Sequence, residues 1–161
     1  MTITINPLKI KEPAIASRLM LKVFREYALP DMPGEQSYHA FARIVSPEAL
    51  ICMVTERHVI LMARYEGEPA GVIAFRNNHR HLLLMFVDGR FHGKGVARAL
   101  WDAGRKRCLA LLPGDEPFTV NSSPYALEVY RKFGFTATGP QVTAETDGIV
   151  YTPMTRPVDL D

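Results

Sequence analysis

Apolar and polar residues alternate through "TITIN" near the N-terminus, and this period of two predicts a first strand. From Glu12 to Leu29 the period changes. Ile15, Leu19, Val23 and Tyr27 recur every fourth residue, while Ser17, Arg18, Lys22 and Arg25 fill the other side. The pattern predicts an amphipathic helix with Pro13 in its first turn and with Pro30 and Pro33 ending it. Residues 34–54 read as one or two short helices, Pro47 opening the second. "HVILMARY" and "PAGVIAFR" flank the turn "EGE" and predict a hairpin. The run Leu82 to Val87 is apolar at every position, as in a central strand buried on both faces.

Beyond a glycine-rich stretch, Ala97, Leu100, Gly104, Cys108 and Leu111 fall on one face of a second long helix, with Arg98, Asp102, Arg105 and Lys106 mostly elsewhere. "PFTVN" predicts a short strand, "PYALEVYRKF" a helix stopped by Gly134, and "FTATG" and "DGIVYTPM" two last strands. The succession of strand, helices, three-strand meander, helix, strand, helix and two strands predicts a mixed α/β sheet flanked by helices.

The 161 residues suit a single domain over residues 1–161, and 47% hydrophobic with 22% charged residues is ordinary globular composition. A net charge of +2 does not by itself suggest a nucleic-acid or membrane partner. The two cysteines, Cys52 and Cys108, form no CxxC pair and have no zinc-like histidine spacing, so no metal site is expected, and they fit a reducing compartment. No leader-like segment opens the chain, and the apolar runs are too short to span a bilayer, so a cytoplasmic protein is expected.

The chemistry concentrates in "FVDGRFHGKGVARALW", residues 86–101, where an apolar strand passes two glycines around a lysine and enters a helix. A magnesium-binding P-loop needs Ser or Thr after the lysine, and here Gly95 follows Lys94. A dinucleotide fingerprint needs a third glycine where Arg98 stands, and no N-terminal βαβ unit surrounds the stretch. What remains is a turn whose glycines allow close approach of an anion, backed by a helix N-terminus and Lys94, and suited to a pyrophosphate.

The stretch His92-Gly93-Lys94-Gly95-Val96-Ala97 resembles the coenzyme A signature of the GNAT superfamily of N-acetyltransferases, with His92 where that family usually has Gln or Arg. A frame from Arg90 to Gly95 also fits the formula but sets the turn less well against the helix. A later block, "VNSSPYALEVYRKFGF" over residues 120–135, is similar to the family's second motif, with Tyr130 at its tyrosine position. "GIVYTPMTRP" resembles its last strand, and the likeness spans roughly residues 55–155. It implies a mixed, mostly antiparallel sheet of about six to seven strands flanked by about four helices.

The resemblance further implies transfer of an acetyl group from acetyl-coenzyme A to a primary amine of a small molecule or peptide, by direct attack in a ternary complex and without a metal. The pantetheine arm would run beside the "MFV" strand, with a backbone N–H near Phe86 or Val87 polarising the thioester carbonyl. The pyrophosphate would lie on the backbone from Gly93 through Lys94, Gly95, Val96 and Ala97 to Arg98, next to His92, and Asn121 would contact the arm. Tyr130 is the expected general acid, Tyr125 the alternative. For the general base, His81 comes first, then His79 and Glu35, with a water chain as a further option. The acceptor would bind between residues 27–46 and 138–148, whose mixed chemistry indicates no substrate. A non-catalytic acyl-coenzyme A sensor is the alternative function. Arg105, Lys106 and Arg107 are consecutive, so they spread around their helix instead of forming a nucleic-acid face. A monomer or homodimer is expected.

Overall fold

A computed structural model describes residues 2–159. Strand β1 (Ile3–Pro7) leads to helix α1 (Pro13–Val23), which loosens into a π-turn (Phe24–Ala28) and a 3-10 turn (Leu29–Asp31). The regular helix thus ends before the expected Leu29. Pro30 has no N–H for a carbonyl one turn back, and its ring crowds that carbonyl. Helices α2 (Gln36–Ile44) and α3 (Pro47–Thr55) follow, separated at Ser46, whose side chain accepts from the Ala49 N–H and caps α3.

Strands β2 (Val59–Tyr65), β3 (Glu68–Phe75) and β4 (His81–Val87) form the predicted meander. Helix α4 (Val96–Leu111), strand β5 (Phe118–Ser122) and helix α5 (Leu127–Lys132) precede β6 (Thr136–Ala137), β7 (Val142–Thr143) and β8 (Val150–Arg156). The sheet order is β1-β2-β3-β4-β5-β8-β6, with β7 also on β8. Every pairing is antiparallel except β4 with β5. The mixed, mostly antiparallel α/β fold is as expected. Its additional strand is the two-residue β7, outside the sequence pattern because it carries no alternation.

Helices cover both faces of the sheet. One core joins α1, α2 and α3 to Ile60, Met62, Val72, Ala74 and Leu84. The other packs α4 and α5 on Leu61, Ile73, Phe75, Phe118 and Val120. At its centre Trp101 is 1% exposed, ringed by Phe75, Phe118, Phe133 and Phe135. Roughly 150–250 Å² buried at about 25 cal/mol per Å² makes that side chain worth about 4–6 kcal/mol. Leu111, expected on the buried face of α4, is 54% exposed because the helix has by then run past the sheet. Among the described residues no helix is long and apolar enough to cross a membrane.

Candidate active site

The site begins where the sheet fails to close. Strands β4 and β5 pair only at His81 with Thr119 and Leu82 with Val120. The Arg80 carbonyl takes the Thr119 N–H at 2.9 Å, and the buried Arg80 guanidinium holds the Leu112, Gly114 and Glu116 carbonyls, stitching the α4–β5 loop to this seam. Beyond Leu82 the pairing stops and a cleft of about 740 Å³ opens. The uniform apolarity of Leu82 to Val87 therefore does not mean burial on both faces. Leu83, Met85, Phe86 and Val87 are half-buried and line the cleft.

The edge of β4 facing the gap follows from its hydrogen bonds. The Asp88 N–H goes to Ala70 of β3 at 2.8 Å. Backbone groups turn to opposite edges at alternate residues, so the N–H and C=O of Phe86 face β3 while those of Met85 and Val87 face the cleft. Val87 confirms the alternation, since its carbonyl accepts from His92 across the gap. Of the two N–H groups expected as candidates, that of Val87 faces the cleft, as does that of Met85, and that of Phe86 points to β3.

After β4 the chain is pinned by Asp88. Its carboxylate accepts from the Arg90 N–H at 3.0 Å and meets the Arg90 guanidinium and Lys22 of α1. Together these contacts hold it below the usual carboxylate range although burial opposes them. Gly93 and Gly95 take φ of 75° and 84°, the left-handed region, and nothing lies within 4 Å of where a Cβ would stand on either. Gly95 heads α4 with no side-chain cap, and the first intrahelical bond runs from Ala99 N–H to Gly95 O at 3.0 Å. The N–H groups of Val96, Ala97 and Arg98 are left for an anion, in an open cradle that fits a pyrophosphate.

One charge departs from the expected arrangement. The Lys94 ammonium lies over the Tyr65 ring, 5.8 Å from its centroid, and Lys94 is not among the lining residues. Arg98 lines the cleft, its guanidinium over Phe133 and on the Lys132 carbonyl. Lys132 lines it too, and only its place in the last turn of the short α5 could have pointed to it.

Tyr130 enters from α5, is 4% exposed, and stands edge-on to Phe133 and Phe135 with the cleft before it. Burial raises its phenol well above 10.0, so it stays protonated at every physiological pH. Over the glycine turn, three further rings gather from three segments. Tyr27 stacks on Tyr125 at 4.9 Å and tilts against His92 at 4.9 Å, and the Tyr125 hydroxyl lies 3.3 Å from His92 Nδ1. The Tyr27 hydroxyl rests against Gly89, where any Cβ would displace it. Sequence periodicity had assigned Tyr27 to a buried helical stripe and carried no signal for this meeting.

At the seam, His81 Nδ1 is 2.7 Å from Thr119 Oγ1, and burial, then the charge of Arg76, lowers its pKa below 6.5. The side chain lines the cleft and favours the neutral form. His79 and Glu35 do not line it; Glu35 is held by Arg25 at 3.2 Å in an exposed pair. Asn121 lines the opposite wall from β5. No group of three or more His, Cys, Asp or Glu is placed to hold a metal among the described residues.

Comparison with known proteins bears on this arrangement. No curated protein sequence matches the chain. Among solved structures, a GCN5-related N-acetyltransferase from Rhodopseudomonas palustris is similar, with 21% identity and a TM-score of 0.82 over 98% of this chain and 96% of that one. A PaiA N-acetyltransferase from Thermoplasma acidophilum, in complex with coenzyme A, has 15% identity and a TM-score of 0.77 over 98% and 99%. The ribosomal-protein-S18-alanine N-acetyltransferase from Escherichia coli has 17% identity and a TM-score of 0.68 over 99% and 96%. These likenesses concern the fold. The sequence profile of the acetyltransferase (GNAT) domain matches residues 28–157, so the chain belongs to the GNAT acetyltransferase family.

Proposed function

We propose that the protein moves an acetyl group from acetyl-coenzyme A to a primary amine, by direct attack in a ternary complex. One observation carries the reading: a sheet that parts after two residue pairs, with a bonding strand edge on one side and an uncapped, glycine-headed helix at its end. An amide-bearing arm with a pyrophosphate complements both features. Coenzyme A bound to the similar PaiA enzyme supports the same ligand class.

Bound acetyl-coenzyme A supplies the activated thioester. The Met85 or Val87 N–H polarises its carbonyl, and the backbone donors from Val96 to Arg98, with the charges of Arg98 and Lys132, hold the phosphates. His81 takes the proton from the incoming ammonium, directly or through water, because its lowered pKa keeps it unprotonated at neutral pH. Tyr130 gives its proton to the departing thiolate. Burial raises the phenol, but the same dry cleft destabilises the thiolate, so the proton has a reason to move.

The test is calorimetric titration with acetyl-coenzyme A followed by thiol release over a panel of amines and peptides. Binding and turnover are expected. Absence of binding would sink the reading, while tight binding without turnover on any acceptor would make the protein an acyl-coenzyme A sensor.

A further inference from the structure

The wall of the cleft facing α1, α2 and α3 is made of Phe24, Met32, Phe41, Ile44, Met53 and Leu83. None carries a charge or a hydrogen-bonding group. Among the described residues lining the whole cleft, Asp147 is the one carboxylate, and its Oδ1 already accepts from the Ile149 N–H at 2.9 Å. Glu35, just before α2, does not line the cleft and pairs with Arg25, which also lies over the Tyr38 ring at 3.9 Å. Arg76, Arg98 and Lys132 line the cleft as cations. With Arg98 and Lys132 facing the donor's phosphates, further positive charges on an acceptor would meet the cation of Arg76 and share the single carboxylate of Asp147.

The roof is also specific. The loop between β7 and β8 lies against the start of α2, where a Cβ on Gly148 would stand 2.7 Å from Gln36 Nε2 and 3.4 Å from the Pro33 ring. That contact ties the loop to the α2 wall. A cleft walled by these apolar side chains suits a guest with a compact apolar body.

We propose that the acceptor is a compact monoamine carried on an apolar body, of the arylalkylamine kind, and not a polyamine, an aminosugar or a peptide. The inference rests on the acetyltransferase reading and refines it. The amine enters with its one charge toward His81, loses that proton, and attacks while its apolar body lies on Ile44, Met53 and Leu83. As the new amide bond forms and the carbon–sulfur bond breaks, Tyr130 gives its own proton to the departing thiolate. The nitrogen's second proton passes through water to the Tyr130 oxygen, and His81 returns the first proton to solvent.

The experiment measures kcat/KM for 2-phenylethylamine, spermidine, kanamycin and a tetrapeptide with an apolar N-terminal residue, using wild-type protein and Ile44→Glu. Ile44 is 41% exposed, so a charge there leaves folding intact, which a melting curve checks. Phenylethylamine is expected to exceed each other acceptor by about 100-fold. Ile44→Glu is expected to lower that preference at least tenfold and to raise spermidine turnover, with coenzyme A affinity unchanged. Equal or better turnover of spermidine, kanamycin or the peptide overturns the inference, as does donor binding with no turnover of phenylethylamine. A rate that rises from acetyl- to octanoyl-coenzyme A at fixed amine assigns the apolar wall to the donor and also overturns it. Failure to bind coenzyme A at all is a different result, which removes the acetyltransferase reading itself.

Discussion

The imidazole of His92 donates through Nε2 to the carbonyl oxygen of Val87 at 2.8 Å, across the mouth of the cleft. A carbonyl can only accept, so Nε2 carries the proton, and in the neutral ring Nδ1 is left to accept from the Tyr125 hydroxyl. His92 therefore occupies the acceptor that an amide of the donor arm would use. His92→Ala is expected to tighten coenzyme A by about fivefold, the worth of roughly 1 kcal/mol of competing hydrogen bond. Calorimetry decides it: weaker binding would make His92 a ligand to the phosphates instead of a competitor.

Tyr130→Phe removes one oxygen from a buried ring and leaves its packing on Phe133 and Phe135 in place. Coenzyme A affinity and melting temperature should hold, while kcat falls by about 10²–10³-fold. An unaltered kcat at neutral pH would remove the hydroxyl from the mechanism.

The position of His81 predicts a pH profile. Burial first, and Arg76 second, lower its pKa from 6.5. The acid limb of kcat/KM should therefore lie below 6.5, move up in Arg76→Gln, and vanish in His81→Asn. Stability follows the same sign. The unfolded chain takes up this proton first, so the contribution is complete above 6.5 and is lost as pH falls toward the folded-state value. A urea midpoint that ignores the His81→Asn substitution below 6.5 would contradict the assignment.

Gly104 is a helix-interior glycine that should not be improved. Alanine there gains about 1 kcal/mol in helix propensity. Its Cβ would drive into the Phe75 ring, with Cζ 3.0 Å away and Cε1 closer still, between α4 and β3. Overpacking of a rigid core costs about 1–3 kcal/mol and wins. Gly104→Ala should lower Tm by about 2–4 °C per net kcal/mol, as scanning calorimetry would show.

Much of this site was legible in residue order, because its parts are local. The turn from His92 to Arg98 needs only a strand, two glycines and a helix in succession, and that is how it folds. Tyr130 was singled out by its motif and lines the cleft, and no periodicity would have distinguished it from the core aromatics beside it. The hairpin and the break at Pro47 followed from turn and capping chemistry. What sequence could not convey was direction. The run Leu82 to Val87 looks the same whether it is buried by protein or borders a cleft, and only the two-pair seam with β5 separates these cases. The side on which Lys94 lies, the pairing of Glu35 with Arg25, and the meeting of Tyr27 with Tyr125 all depend on contacts distant in the chain.

The parted seam also bears on how the protein keeps in solution. A strand with free backbone groups normally belongs at a sheet's margin, where folds blunt it with charge, proline or a bulge. Here such an edge lies at the sheet's middle, on the backbone of Met85 and the N–H of Val87, with apolar neighbours and no charge of its own. The property that receives an amide-bearing ligand equally receives a stray β-segment from another chain. On the proposed reading the donor acts as a gatekeeper for its own site, and protein depleted of it is the form most prone to aggregate on storage.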